Sequence, residues 1–253
     1  MTAQLPLSLR WPRRQRFEHF CPGPNAAAVA AVRALARGEG APWVYLHGPL
    51  GSGRSHLLMA ACQAHMDVHT ADDAVPDEPL AAAASRRAQY VPLATLADPV
   101  AALQAAPGNT LLALDDLDAV AGNAAAEHAL FDLYNQARAG RLDLLFAASA
   151  APAQLGIQLP DLRSRLGACT RFALKPLGTA ERRAVLKRYA SERGIQLEDS
   201  VLDWLFTHHA RDLGALLDLL DRLDRASLAA QRRITIPFLR DFLRESAAPR
   251  IGS

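Results

Sequence analysis

The chain has 253 residues, of which 50% are hydrophobic and 21% charged, and its formal net charge is only +2. This composition is ordinary for a globular protein with a sizeable core, and it does not single out a nucleic-acid-binding protein. Three widely spaced cysteines argue against a disulfide framework or a zinc site, no apolar run approaches the length of a membrane span, and a cytoplasmic protein is therefore expected.

Residues 1–16 are predicted to form an unstructured arm with one unusual feature. The stretch Gln4–Leu9 contains three leucines at alternate positions. In an extended peptide, Leu5, Leu7 and Leu9 lie on one side, which suits an apolar groove on a partner protein. The alternative is a disordered tail whose leucines occur by chance.

Short apolar strands alternate with helices up to residue 177. Asn25 can cap a helix over Ala26–Ala36, and further helices are predicted over His56–His65 and Ala124–Ala137. Residues 71–87 are expected to form a loop or insertion without a site. The alternation predicts an α/β domain over 17–177 with a five-stranded parallel sheet. The predicted strands are Trp43–His47, Tyr90–Pro92, Leu111–Asp115, Leu144–Ala148 and Arg171–Leu174.

From Gly178 onward the strand pattern gives way to helical spacing. This spacing predicts a small helical domain over 178–253. Its predicted helices cover 179–193, 198–209, 211–230 and 236–245, and one apolar stripe is formed by Leu213, Leu216, Leu217, Leu220 and Leu223.

The stretch Gly48–Ser55 matches the phosphate-binding pattern G-x-x-x-x-G-K-[ST] except at its lysine, which is Arg54 here. In such loops backbone N–H groups and a helix N-terminus converge on phosphate oxygens, and Ser55 is placed to bind Mg²⁺. Arg54 keeps the charge as a broad planar fork, which favours a nucleotide sensor over a fast ATPase. Since Lys175 and Lys187 are the only lysines, a compositional preference for arginine is an alternative origin of this substitution.

Four apolar residues followed by Asp115 and Asp116 are typical of a Walker B strand. The sheet buries the apolar part, Asp115 emerges near the Mg²⁺ of the loop, and Asp116 occupies the position of a water-orienting residue. Ser149 ends the next strand and is a candidate sensor of the γ-phosphate. The alternative for each is an ordinary polar turn.

Three arginines are further candidates. Arg163 and Arg165 precede the last strand, where an arginine commonly projects into the nucleotide of a neighbouring protomer. Arg211 begins the longest C-terminal helix and could reach the nucleotide as a second sensor. The alternatives are a solvated basic turn and a surface arginine paired with Asp212 or Asp218.

Together with these motifs, several stretches resemble the DnaA-like AAA+ family and, within it, the shorter Hda proteins. The resemblance covers the chain except residues 71–87, and an arginine in the phosphate-binding loop is also similar to Hda proteins. It is carried by Phe17–Phe20, Gly23–Ala27, Gly53–Leu58, Phe131–Asn135, Leu159–Leu166, Leu223–Ser227 and Thr235–Phe238.

The resemblance implies bound ADP or ATP with Mg²⁺. It places the Phe20–Gly23 segment near the adenine and Arg211 at the second sensor, whereas Ser149 replaces the sensor-1 aspartate of the family. The implied Mg²⁺ ligands are Ser55 and Asp115. The implied nucleotide-binding residues are Phe20, Cys21, Gly48, Gly51, Ser52, Gly53, Arg54, Ser55, His56 and Arg211.

The resemblance also implies two protein partners. Gln4, Leu5, Leu7 and Leu9 are similar to the Q-L-x-L-x-L peptide that binds the DNA polymerase III β sliding clamp. Arg165 is the implied arginine finger, acting in trans on ATP bound to DnaA, and Phe131 and Asn135 are implied to face DnaA. Because the chain stops where DnaA continues into a helix-turn-helix domain, DNA is expected to be contacted only through the clamp.

The expected function is regulatory inactivation of DnaA by a nucleotide-bound adaptor with little or no hydrolysis of its own. Asp116 leaves open a self-sufficient AAA+ ATPase such as a helicase loader. The basic run Arg13–Arg16 leaves open a nucleic-acid-binding accessory ATPase. A homo-oligomer is also left open.

Overall fold

The computed structural model describes residues 15–39, 43–72, 87–105, 110–140, 142–208 and 213–247. The chain divides into two compact units between Pro176 and Leu177. In the described ranges, helices that combine the length and the apolar character needed to cross a bilayer are absent.

The first unit is built on a sheet of five parallel strands in the order β2-β3-β4-β1-β5, which confirms the predicted fold class. This order places β1 between β4 and β5, and because all strands are parallel, the carboxyl ends of β1, β3 and β4 lie at one edge, where ligands bind in open α/β sheets. The strands are β1 (Trp43–His47), β2 (Ala88–Pro92), β3 (Leu111–Asp115), β4 (Asp143–Ala148) and β5 (Thr170–Ala173).

Alternate side chains of each central strand fill two separate cores. In β3, Leu112 and Leu114 point into one core, whereas Leu111 and Ala113 point into the other. Both faces are buried, which explains why the strand is a continuous apolar run. Helices α1 (Ala26–Ala36) and α2 (Arg54–Asp72) cover one face, and α3 (Pro99–Gln104), α4 (Ala124–Ala139) and α5 (Pro160–Ala168) cover the other.

The bounds of several strands and helices differ slightly from those predicted, and three further local predictions differ from the structure. Asn25 does not cap α1, because its amide nitrogen donates to the Lys175 carbonyl oxygen at 2.8 Å and its side-chain oxygen accepts from the Lys175 N–H at 2.9 Å. The helix predicted from His56 to His65 continues to residue 72, so residues 71 and 72 are helical. The stretch around Arg165 is the helix α5, which replaces the alternative of a basic turn.

In the described part of the second unit, four helices pack around a core of their own. Its helices are α6 (Thr179–Ser191), α7 (Asp199–His208), α8 (Leu213–Ala230) and α9 (Ile236–Ala247). Leu216, Leu220 and Leu223 of the predicted stripe are buried in this core, as is Leu219, whereas the remaining two members are only partly buried.

Candidate functional site

The glycine loop joins β1 to α2 and leaves almost no room for side chains at two positions. Gly53 has a φ of +92°, and a Cβ added to it would lie 2.6 Å from Cε2 of Phe20. A Cβ on Gly48 would lie 2.5 Å from the Leu174 carbonyl oxygen. Gly51 also has a positive φ. Glycine is therefore required at these two positions by the close approach of Leu174 and Phe20, and at Gly53 also by its left-handed backbone.

Two polar side chains of the loop contain buried atoms that find no hydrogen-bond partner in the described ranges. Ser52 is 4% exposed, and among the described residues its Oγ has no hydrogen-bond partner; the same is true of the buried Nη1 of Arg54. Such atoms cost about 1–3 kcal/mol each when left unsatisfied. Because α2 also begins at Arg54 with its free N–H groups, an anion such as a phosphate fits this loop.

The two predicted Mg²⁺ ligands are joined through one hydroxyl group. Tyr90 donates to Oδ2 of Asp115 at 2.8 Å and accepts a hydrogen bond from Ser55. Burial, reinforced by the charge of Asp115, raises the pKa of Tyr90, so its hydroxyl remains a donor. Asp115 is only 1% exposed. Hydroxyl and carboxylate oxygens this close together are the hard donors that Mg²⁺ prefers.

Asp116, the predicted water-orienting residue, has an unusual backbone. Its φ of 56° and ψ of 51° are left-handed, a conformation that costs a non-glycine residue about 1–3 kcal/mol and often marks functional sites. Its N–H donates to Oδ1 of Asp115 at 2.9 Å. Burial and the charge of Asp115 raise the pKa of Asp116, against the opposing effect of Arg54. Asp116 therefore lies within electrostatic reach of the loop.

Ser149, the candidate sensor, already donates hydrogen bonds to a carboxylate that the sequence analysis did not single out. Its N–H donates to Oδ2 of Asp118 at 2.9 Å, and its hydroxyl donates to Oδ1 of the same residue. The charge of Asp118 also contributes to raising the pKa of Asp116 and that of Tyr45. The available signal was the spacing of Asp118, three residues after Asp115.

Phe20 and His56 pack against each other beside the loop. Their rings meet edge to face with centroids 5.1 Å apart. His56 donates through Nε2 to the Arg16 carbonyl oxygen at 2.9 Å, and burial lowers its pKa. Cys21 next to Phe20 is partly exposed, and Arg16 forms an ion pair with Asp67 at 2.9 Å.

Arg165 lies on an aromatic surface formed by α4. Its Cζ is 4.8 Å from the ring centroid of Phe131 and 5.3 Å from that of Tyr134. Among the residues that the structure describes, no carboxylate forms an ion pair with Arg165. Asn135 is partly exposed one turn after Phe131, and Arg163 is exposed on α5. The structure thus brings Arg165 and Phe131 together.

Glu127 is a second residue that the sequence analysis missed. It is 1% exposed and accepts hydrogen bonds from the N–H groups of Gly122 at 2.8 Å, Gln158 at 3.0 Å and Leu159 at 2.7 Å. Burial alone would raise the pKa of Glu127, but these donors outweigh it and hold the pKa below its ordinary value. The available signal was its helical spacing with Leu130 and the apolar residues that follow.

The remaining predicted site residues lie outside the described residues. They are Arg211 and the four clamp-peptide residues Gln4, Leu5, Leu7 and Leu9.

Each of the two units matches a family model of known proteins. Residues 12–172 match the family model of the bacterial DnaA ATPase domain, and residues 179–243 match that of the Hda lid domain. Domain III of the Thermotoga maritima replication initiation protein DnaA has a TM-score of 0.71 at 17% identity, covering 94% of this chain and 99% of that one. AMPPCP-bound DnaA from Aquifex aeolicus has a TM-score of 0.61 at 20% identity, covering 84% and 66%.

The fold is shared more widely among AAA+ motors. The Thermotoga maritima RuvB Holliday junction branch migration motor has a TM-score of 0.59 at 18% identity, covering 92% of this chain and 72% of that one. At these identities, likeness to solved structures establishes the fold alone. The family rests on the sequence models: because the DnaA ATPase model matches more than half of the chain and the Hda lid model follows it, the chain belongs to the DnaA family of AAA+ proteins as an Hda-like member.

Proposed function

We propose that this chain is a nucleotide-bound regulator that stimulates hydrolysis of the ATP held by DnaA. It docks on the β sliding clamp through Gln4–Leu9 and contributes Arg165 in trans to the partner's ATP. ATP-DnaA is thereby converted to ADP-DnaA, and renewed initiation of replication is suppressed.

The observation that carries this proposal is the environment of Arg165. Its guanidinium lies on neutral rings, and the described residues provide it with no carboxylate partner. A guanidinium in this setting keeps its full charge and its fork of N–H donors for an anion from outside the chain. A phosphate group in a partner's active site is such an anion.

Binding of a nucleotide by the chain itself is supported by the glycine loop. Within the described part of the chain, Ser52 and Arg54 have buried atoms without partners there, and Ser55 and Asp115 provide the oxygen donors for Mg²⁺. When bound, Mg²⁺ neutralises charge on the phosphate oxygens. DnaA structures of the same fold have been solved with AMPPCP. In this chain the nucleotide serves mainly to keep the α/β unit in its partner-binding shape.

Two substitutions on α5 test the arginine. Arg165→Ala should lower the rate at which the chain stimulates ATP hydrolysis by DnaA by about 10³-fold, since arginine fingers contribute on the order of 10³–10⁵. Arg163→Ala, two residues away and exposed, is the matched control and should behave as wild type. Both variants should still bind nucleotide and the clamp. Full stimulation by Arg165→Ala would overturn the proposal.

The clamp peptide is tested separately. Replacing Gln4, Leu5 and Leu9 with alanine should abolish capture of the chain by immobilised β clamp, because the side chains that would enter its apolar groove are removed. Capture that is indifferent to the three changes would make the arm an ordinary tail. Thermal unfolding of the variant should match wild type.

A self-sufficient ATPase is the second candidate, and Asp116 is the observation in its favour. Its left-handed backbone fixes a carboxylate beside Asp115, where a water could be oriented. The purified chain alone would then hydrolyse ATP, and Asp116→Asn would abolish that turnover. Turnover that is absent, or indifferent to this change, removes the candidate.

A further inference from the structure

We infer that Phe131 and Tyr134 are positioning residues for Arg165, whose guanidinium their rings hold in place before a partner arrives. The catalytic consequence rests on the proposed function, whereas the geometry belongs to this chain alone. Phe131 therefore acts through Arg165, in addition to any surface that it offers to DnaA.

The side chain of Arg165 is held by two rings on one helix face. Phe131 and Tyr134 are three residues apart on α4, so their side chains lie side by side. Both centroids lie within about 6 Å of the guanidinium carbon, the range in which cation–π attraction operates. Tyr134 is itself buried and packs against Trp43 with ring centroids 4.5 Å apart. The aromatic surface is therefore a fixed part of the core.

The backbone of Arg165 is held as well. Its carbonyl oxygen accepts from the Tyr134 hydroxyl at 3.5 Å and from the Cys169 thiol at 3.6 Å. At the start of α5, the carboxylate of Glu127 accepts from the Leu159 N–H at 2.7 Å. Glu127 lies one helical turn before Phe131, so α4 fixes both the helix that carries Arg165 and the direction of its side chain.

An arginine side chain that is already held in one rotamer loses less conformational entropy when it enters a partner's site. This role differs from direct contact in what it changes. Loss of positioning lowers the maximal stimulated rate, because the finger is less often in its reactive orientation. Loss of a contact raises the concentration needed for half-maximal stimulation.

The kinetic test compares Phe131→Leu, which keeps apolar volume without a π face, with Phe131→Tyr, which keeps the ring. Phe131→Leu should lower the maximal stimulated rate of ATP hydrolysis by DnaA about two- to fivefold, at an unchanged half-saturating concentration of the chain, and Phe131→Tyr should restore it. Asn135→Ala, one turn away, should raise only the half-saturating concentration. A change in half-saturating concentration alone for Phe131→Leu, or a Tyr variant as poor as Leu, overturns the inference.

A second measurement needs no DnaA. In NMR spectra of the purified chain, the Cδ protons of Arg165, assigned by comparison with Arg165→Ala, should be shifted upfield by the ring currents. Phe131→Leu should remove part of this shift, and Phe131→Tyr should keep it. Identical Arg165 signals in wild type and Phe131→Leu would overturn the inference. A shift that depends on Phe131, in a wild-type chain that fails to stimulate DnaA, would refute the proposed function while leaving the positioning intact.

Discussion

Arg54 and Arg165 belong to the same α/β unit and lie in opposite environments. Arg54 begins α2 close to carboxylates, where its charge opposes the raised pKa of Asp116 and its Nη1 is buried. Arg165 lies on two neutral rings. A guanidinium near carboxylates is suited to binding an anionic ligand within its own site. A guanidinium on neutral rings has no nearby negative charge to compensate it and can therefore pair with an anion of another molecule. The surroundings, more than the residue type, distinguish the arginine that we propose holds a nucleotide from the one that we propose acts on a partner.

The largest stability effect is expected beside Arg165, from Glu127→Ala. The change removes a buried acceptor of several backbone N–H groups and should lower the free energy of unfolding by about 3 kcal/mol in chemical denaturation at pH 7. Glu127→Gln keeps the volume and one acceptor, so it should lose less. An alanine variant as stable as wild type would show that α5 does not depend on this carboxylate.

The same residue predicts a pH dependence. Its pKa is lower in the folded chain than in the unfolded one, so its stabilisation is present above the unfolded value of about 4.3 and is lost as pH falls through the lower folded value. The stability difference between wild type and Glu127→Gln should therefore shrink below pH 4. A difference that stays constant with pH would contradict the assigned ionisation.

The next largest effect is expected on nucleotide affinity, from substitution of Arg54. Arg54→Ala should weaken ADP or ATP binding by about 30-fold, equivalent to about 2 kcal/mol for a lost charge-assisted hydrogen bond. Arg54→Lys keeps the charge and should bind within a few-fold of wild type, and Arg165→Ala should leave affinity unchanged. Titration with a fluorescent nucleotide measures all three. An equal loss of nucleotide affinity in Arg54→Ala and Arg165→Ala would contradict the different roles proposed for the two arginines.

Tyr90→Phe should cost about 1–2 kcal/mol of stability in the absence of ligands, because buried Asp115 loses a donor. Tyr45→Phe is the matched control, since its hydroxyl donates to the neutral carbonyl oxygen of Ala150 at 2.9 Å and should be worth less. Urea denaturation in the presence of a chelator compares them. Equal costs would mean that the link between Ser55 and Asp115 adds nothing.

The smallest effect has the opposite sign. The folded chain raises the pKa of Asp116, so its charge destabilises the fold at neutral pH. Asp116→Asn should raise the free energy of unfolding at pH 7 by about 0.5 kcal/mol, a figure discounted for partial exposure. The gain should vanish below the unfolded pKa of about 3.9, where both states are protonated. A loss of stability at pH 7 would contradict this sign.

Local patterns were sufficient for the framework of the first unit. The bounds of β1, β3 and α1 are as predicted, because apolar runs and breakers encode them within a few residues. The glycine loop was readable for the same reason. Its buried atoms, which lack partners among the described residues, could not be predicted, since burial depends on the whole fold.

Hydrogen bonds between residues far apart in the sequence could not be predicted from local patterns. Glu127 bonds to residues about 31 positions away, Asp118 pairs with Ser149 at the same separation, and Tyr90 reaches Asp115 across 25 residues. A helix cap was predicted for Asn25 because asparagine is common there. The Asn25 side chain instead forms its hydrogen bonds with Lys175. No local sequence pattern distinguishes a capping asparagine from one that makes such a long-range contact.

That pair of bonds also provides a probe of folding. Asn25 and Lys175 are 150 residues apart, so their contact closes a very long loop, whose entropic cost is met only when the intervening strands and helices are in place. The Lys175 amide should therefore exchange with deuterated solvent only through global opening of the α/β unit. With exchange by that route, a single backbone proton would report the free energy of unfolding of the whole unit.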